Sequence, residues 1–288
     1  MNKENIPVGK MCKVLEVSRN SYYNWTKNRR ADQIAFSKKL LEEIKDIYIM
    51  SYSTYGSPRI TIELNNRGLK VSKAFVARLM RIEGIKSILR RKYVVTTDSK
   101  HNYSISDNIL NREFKVDELG KVWVSDITYI KVNNNWVYLT TIIDLADRKV
   151  IGWSVSEDMT AKNTVIAAWT HARINRSIND DGLLFHSDRG VQYASNKFRD
   201  ILEYNQNITQ SMSRKGNCWD NAVAESFFKT IKYEMINHYK FKSIDEVKIA
   251  IFDYIENWYN RSRLHSALGY KTPVQREYEL KFNYKNVA

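Results

Sequence analysis

The sequence is poor in cysteine. Cys12 and Cys218 are its only two in 288 residues, too few for a disulfide framework or a cysteine-rich zinc site. Its five histidines (His101, His171, His186, His238 and His265) have no zinc-ligand spacing. No run approaches the ~18 uncharged apolar residues of a membrane span. The opening MNKENIPVGK lacks the apolar segment that directs secretion. There is no P-loop for ATP and no low-complexity tract. These absences argue against a disulfide-stapled secreted domain, a membrane-spanning chain and a P-loop ATPase. The expected compartment is the cytoplasm.

What is present is a core-forming composition with an uneven charge. Hydrophobic residues make up 43% and charged residues 27%, which excludes wholesale disorder. Lys and Arg total 46 against 32 Asp and Glu, a formal net charge of +14. Residues 1–100 hold 21 basic and 9 acidic side chains; residues 101–288 hold 25 and 23. A basic front on a nearly neutral body suggests a module that grips a polyanion, and nucleic acid is the first polyanion to consider.

The basic front reads as two helix-turn-helix units, 1–30 and 31–92. In the first, Pro7 opens a helix with Met11, Cys12 and Leu15 on one face, and Ser18 caps a second helix carrying Arg19. In the second, Leu40, Leu41, Ile44, Ile47 and Tyr48 line a helix over 35–51. A helix from Arg59 to Arg67 stops at Gly68, and Ser72 caps a third that ends at Gly84. Val76, Leu79 and Met80 form its core face, leaving Lys73, Arg78 and Arg81 for a phosphate backbone. An ordinary helical hairpin remains the alternative for these units. Arg90, Arg91 and Lys92 make a basic cluster before a polar stretch, 93–118, expected to be a flexible linker.

From Val122 the periodicity becomes that of strands: 122–132, 136–144 and 149–156, joined too tightly for anything but antiparallel pairing. A helix over 160–176, a strand at 183–187, a helix over 195–204, a strand at 208–212 and a long helix over 221–239 follow. That order is ribonuclease H-like, an α/β core (119–240) with a mixed five-stranded sheet flanked by helices. Residues 241–288 read as a helical extension.

Three acids stand out in this core. Asp126 lies mid-strand among Val122, Val124, Ile127 and Ile130, where a charge is costly without compensation. Asp188 ends the fourth strand, expected beside the first. Two carboxylates that close repel unless a divalent cation sits between them, and oxygen donors select Mg²⁺ or Mn²⁺. On the last helix Ala224, Phe227, Phe228, Ile231 and Met235 define the core stripe. Glu225, Lys229 and Lys232 share a line at its rim, an acid followed by two bases. Alone, Glu225 and Lys229 would be a surface pair; with two strand aspartates in order they read as a metal site meeting DNA. Asp144 and Asp147 read as turn residues beside Arg148, and Asp220 as the cap of the last helix. His186 either tunes the site or is a packed, hydrogen-bonded histidine. Arg214, Lys215, Gly216 and Asn217 form a basic loop that contacts DNA or merely connects. Arg261, Arg263 and His265 are expected in a polar patch of a segment that braces the core.

The stretches VWVSDITYI (122–130), IIDLADRKVIGW (142–153), FHSDRGVQYAS (185–195), SMSRKGNCWDNAVAESFFKTIKYE (211–234) and WYNRSRLHSALGYKTP (258–273) resemble OrfB transposases of the insertion-sequence-three family, whose core is similar to retroviral integrase. YGSPRITIELNNRGLKVSKAFVARLM (55–80) resembles that family's helix-turn-helix-like domain. The resemblance implies that Asp126, Asp188 and Glu225 form the DDE triad. It further implies two Mg²⁺ (or Mn²⁺) ions, DNA end cleavage and strand transfer, terminal inverted repeats and target DNA as partners, at least a dimer on DNA, an upstream-frame protein or frameshift fusion, and a place at the nucleoid. Asp188 and Glu225 are separated by 36 residues, one more than is usual in the family, and the 205–207 turn is where an insertion is best absorbed. A helix-turn-helix regulator and a ribonuclease H-like nuclease that only hydrolyses are the competing readings.

Overall fold

The computed structural model describes residues 7–26, 29–88, 104–204 and 207–285. The chain divides into two units, Met1–Ile88 and Leu89–Ala288. The first is all helical: α1 (Val8–Val14), α2 (Arg19–Thr26), α3 (Arg29–Met50), α4 (Ser57–Asn66) and α5 (Lys73–Ile82). Cys12 is buried under α1, but Leu15 falls just past the end of that helix and is 68% exposed, so it does not share the apolar face expected of it. Ser18 caps α2, its hydroxyl accepting from the Ser21 amide at 3.0 Å. Gly68, at φ 85°, ends α4 in the left-handed region, and the Leu69 amide folds back onto the Leu64 carbonyl at 2.9 Å. Ser72 then caps α5 through the Phe75 amide. Leu40, Ile44, Ile47, Ile60, Leu64, Val76 and Met80 close the core between α3, α4 and α5.

The second unit is built on five strands: β1 (Val122–Val132), β2 (Asn135–Asp144), β3 (Val150–Ser156), β4 (Leu183–Ser187) and β5 (Ile208–Met212). Their order is β3-β2-β1-β4-β5, with the first three antiparallel and β4 and β5 parallel to β1. One face carries Trp123, Ile142, Ile151 and Phe185, packed against α6 (Ala167–Asn175), α7 (Val191–Ala194) and α8 (Asn196–Tyr204) through Trp169, Tyr193 and Phe198. Helix α6 comes so close to β3 that a Cβ on Gly152 would stand 2.7 Å from the Ala172 amide nitrogen, which explains the glycine. The other face takes α9 (Ala222–Glu234), laid on β1 and β2 by Ala224, Phe227, Phe228 and Ile231.

Several elements differ from the sequence expectation. The 160–176 helix begins as a wide π turn at Lys162–Ile166. The last core helix stops at Glu234, because Met235 leaves helical geometry (φ −137°, ψ −63°) where Glu234 is held from the side by Arg263. Described residues of the expected flexible linker are tied down. The Ile109 amide donates to Ser211 Oγ at 2.9 Å, Asp107 accepts the Met212 amide, and Leu110 is 2% exposed. Polarity misled here because this segment is held along β5 by hydrogen bonds, which leave little hydrophobic trace. The C-terminal stretch, α10 (Ile244–Phe252), a π turn over Asp253–Tyr259 and α11 (Pro273–Lys285), braces the core as expected. Asn260 exchanges two hydrogen bonds with Val150 at the edge of β3. Arg263 and His265, expected in a polar patch, are instead buried at 6% and 9% exposure.

Candidate active site

Parallel pairing of β1 with β4 sets Val124 opposite His186; two residues further along stand Asp126, still on β1, and Asp188, the first residue past β4. Alternation puts Val122, Val124 and Asp126 on the α9 face and Trp123, Ser125 and Ile127 on the other. Asp126 is partly buried, with its carboxylate accepting the Ile127 amide at 2.8 Å. Its pKa is pushed well above the carboxylate range, first by burial, then by the charge of Asp188, with Glu225 adding to it. Asp188 accepts the Gly190 amide at 2.9 Å; a Cβ on Gly190 would crowd that same oxygen at 3.0 Å. Glu225, half-buried on α9, is raised by burial and by Asp188, and lies 4.0 Å from Lys229. The three predicted acids therefore sense one another across β1, β4 and α9. Among the described residues no three His, Cys, Asp or Glu side chains are drawn together tightly enough to enclose an ion. All three donors are carboxylate oxygens, and the charge of Asp188 raises the proton affinity of both Asp126 and Glu225, the chemistry that a hard divalent cation relieves.

Tyr193, unassigned from sequence, forms the floor under the two aspartates. Its hydroxyl bonds Ser125 Oγ at 2.7 Å, and its pKa is driven up by burial and by both Asp126 and Asp188. The sequence signal was only its place in FHSDRGVQYAS. Lys232, expected on an outward line with Lys229, is partly buried instead. Burial pulls its ammonium pKa down while Asp126 holds it up, so it faces the acids. Lys229 is exposed.

Asp220 does not cap α9. It is fully buried and binds two arginines: Arg112 Nε donates to Oδ1 at 2.8 Å, and Arg214 donates from its amide, Nε and Nη2 at 2.9–3.0 Å. These pairs, Arg214 foremost despite the opposing effect of burial, hold its pKa far below the usual range. Arg112 also donates to Asn217 at 2.9 Å. Thus Arg214 and Asn217 of the expected DNA loop are each hydrogen-bonded to side chains of the protein, although Arg214 stays exposed, as does Lys215. Arg112 escaped notice because its partner lies 108 residues away. The adjacent Asn221 donates to the Ser125 carbonyl at 2.9 Å, tying the turn before α9 to the residue preceding Asp126. His186 is the packed alternative: fully buried, bonded to Ser211 and Ser213, its pKa lowered to about 4, chiefly by burial. Asp144 and Asp147 do form the β2–β3 turn, but their main partner is the buried Arg176, at 2.9 and 2.7 Å.

In the first unit Lys73 and Arg78 lie exposed on α5, Arg78 also covering the Phe75 ring. Arg19 lies against α1, close enough that a Cβ on Gly9 would meet its guanidinium at 2.6 Å. Arg90, Arg91 and Lys92 lie outside the described residues. No described helix is long and apolar enough to cross a membrane.

Residues 117–218 and 206–273 match two models described as integrase core domain, and 36–93 match one described as HTH-like domain. Fold and match together define a polynucleotidyl transferase of the DDE class. The chain is 38% identical over 92% of its length to the insertion element IS600 uncharacterized 31 kDa protein of Shigella sonnei, covering 96% of that relative. It is 34% identical to the transposase InsF for insertion sequence IS3A of Escherichia coli K12, over 96% of this chain and 94% of that one. The protein belongs to the transposase family of IS3-type insertion sequences. Among solved structures, a simian T-cell lymphotropic virus intasome chain aligns over 81% of this chain and 73% of its own, at 14% identity and TM-score 0.45. The HTLV-2 integrase catalytic core, solved with magnesium, aligns over 55% and 96%, at 17% identity and TM-score 0.41.

Proposed function

We propose that this transposase cuts the terminal inverted repeats of its insertion sequence and joins each freed 3′-hydroxyl to a second phosphodiester, using Asp126, Asp188 and Glu225 as the carboxylates for two Mg²⁺ or Mn²⁺ ions. The observation that carries this reading is the placement of the acids: Asp126 lies on β1, Asp188 directly follows the adjoining β4, and Glu225 sits on the helix packed over β1, near enough for the charge of Asp188 to raise the pKa of both others. When bound, the ions supply activation of the attacking oxygen and stabilisation of the leaving 3′-oxygen. The chain's own residues hold and orient. Tyr193 and Ser125 fix the floor, Asn221 fixes the start of α9 against β1, and α9 carries Glu225 in toward the strand acids. Lys232 offsets part of the acidic charge through Asp126.

DNA would be held by exposed Lys73 and Arg78 in the first unit and by Lys215 and Lys229 near the acids, with Arg19, Arg214, Asn217, Lys232 and the 90–92 cluster contributing charge or polar contacts around them. Joining two ends implies at least two copies on DNA. An upstream-frame protein or a frameshift fusion would supply further end recognition, and the working location is the nucleoid.

The test is incubation of labelled insertion-end DNA with Mg²⁺ or Mn²⁺, with products read for cleavage and for joined strands. Joined products support the reading. Cuts without joining leave a nuclease, and shifted but uncut DNA leaves a regulator.

A further inference from the structure

Trp219 stands out on the surface of the second unit. Its indole is 69% exposed, although it sits in a single 3₁₀ turn (Cys218–Asn221) whose next two residues are buried. Scattered exposed apolar side chains are ordinary. What sets Trp219 apart is its mounting. Asp220, one residue on, is fully buried and gripped by Arg112 and Arg214. Asn221, two residues on, is 3% exposed and bonded to the Ser125 carbonyl, immediately before Asp126. Two residues of chain span at most ~7 Å, so the Trp219 backbone is held at the edge of the acidic site. The two guanidiniums that fix it are themselves about half exposed, at 43% and 49% of their side-chain surface. Lys215 adds a further exposed cation in the same loop.

A rigidly mounted, solvent-facing aromatic ring flanked by cations is the arrangement that receives a nucleobase on its face and the neighbouring phosphates on its charges. Bases inside a duplex already have both faces stacked, so away from a terminal pair the ring is open only to a base that has left its pair. We propose that Trp219 is a base-stacking residue that takes an unpaired nucleobase of the DNA strand whose phosphate is presented to Asp126, Asp188 and Glu225, and so favours an opened DNA end. This deepens the strand-transfer reading and rests on it for the choice of DNA. Stacking needs no metal, so the two can fail separately.

The experiment uses the full-length protein without divalent cation. It compares binding of a short synthetic duplex with unpaired nucleotides at one end against the same duplex fully paired. A single stacked base predicts a preference of about tenfold for the unpaired end. Trp219→Ala should erase that preference, Trp219→Phe should keep most of it, and abasic sites at the unpaired positions should erase it for the unmodified protein. The phenylalanine variant guards against a folding defect, because it keeps an aromatic face at the position while replacing the indole with a smaller ring. A preference that survives Trp219→Ala or abasic substitution, or no preference at all, overturns the proposal. Absence of joined products from a paired end with Mg²⁺ would remove the strand-transfer reading while leaving this binding result standing.

Discussion

Glu234 and Arg263 form a buried, two-pronged ion pair: Arg263 Nε reaches both Glu234 oxygens at 3.0 Å and Nη2 reaches Oε1 at 2.8 Å. Tyr254 and Trp258 donate to the same carboxylate, so its oxygens are shared among three side chains of the C-terminal segment. The pair joins the last residue of the helix that carries Glu225 to a segment running beside β3. Removing one member leaves the other charged and buried. Arg263→Ala should therefore lower stability by about 3–5 kcal/mol, measured by denaturant unfolding. Arg263→Lys should recover only part of it, because one ammonium cannot reproduce the fork. A loss below 1 kcal/mol for the alanine variant would show that the segment docks without this pair.

Glu225→Gln keeps the shape of the side chain and removes its charge. On the proposed chemistry it should abolish both cutting and joining in Mg²⁺ or Mn²⁺ while the protein still binds insertion-end DNA. Asp126→Asn should do the same. Near-wild-type activity in either variant would take the carboxylates out of the mechanism.

The first three strands were legible because each combines β-branched and aromatic residues with tight turns, and β4 as a short apolar run; β1, β4 and β5 span the residues expected of them. The buried stripe of α9 was equally plain, since Ala224, Phe227, Phe228 and Ile231 repeat at helical spacing. Long-range polar partners were not legible. Arg112 meets Asp220, Arg176 meets Asp144 and Asp147, and Glu234 meets Arg263, each across tens of residues with no period to reveal it. The same blindness made Asp220 look like a helix cap and Lys232 look like an outward cation. Local pattern reads what a segment buries; it does not read which distant charge completes it.

Lys229 and Lys232 separate into two roles. Lys229 is exposed and 4.0 Å from Glu225, a weak pair that a phosphate can replace. Lys229→Ala should weaken binding of the insertion end and reduce the slope of log affinity against log salt by about one phosphate contact. Lys232 is half-buried toward Asp126, so Lys232→Ala should cut catalytic rate more than it changes that slope. Titrations over a salt series, alongside single-turnover rates, distinguish the two. An unchanged slope for Lys229→Ala would place it in solvent.

Glu277 of α11 ties the C-terminal helix to the β2–β3 turn, with Lys149 at 2.6 Å, Lys281 at 2.7 Å and Arg176 at 3.3 Å. Burial alone would raise its pKa; the hydrogen bonds from Lys149 and Lys281 and the charge of Arg176 outweigh that and bring it down to about 2. A carboxylate whose folded pKa lies below its unfolded one adds stability above the unfolded value, near pH 4.5, and loses it as pH falls toward 2. The depression corresponds to roughly 2–3 kcal/mol, the lower end reflecting partial contact with solvent. Glu277→Gln should accordingly be destabilised relative to the unmodified protein at pH 7, and the gap should close as the pH is lowered from about 4.5 to 2. Denaturant unfolding of both proteins across that range is the measurement. A gap that stays constant with pH would mean the substitution acts through packing of α11, with the carboxylate charge contributing nothing.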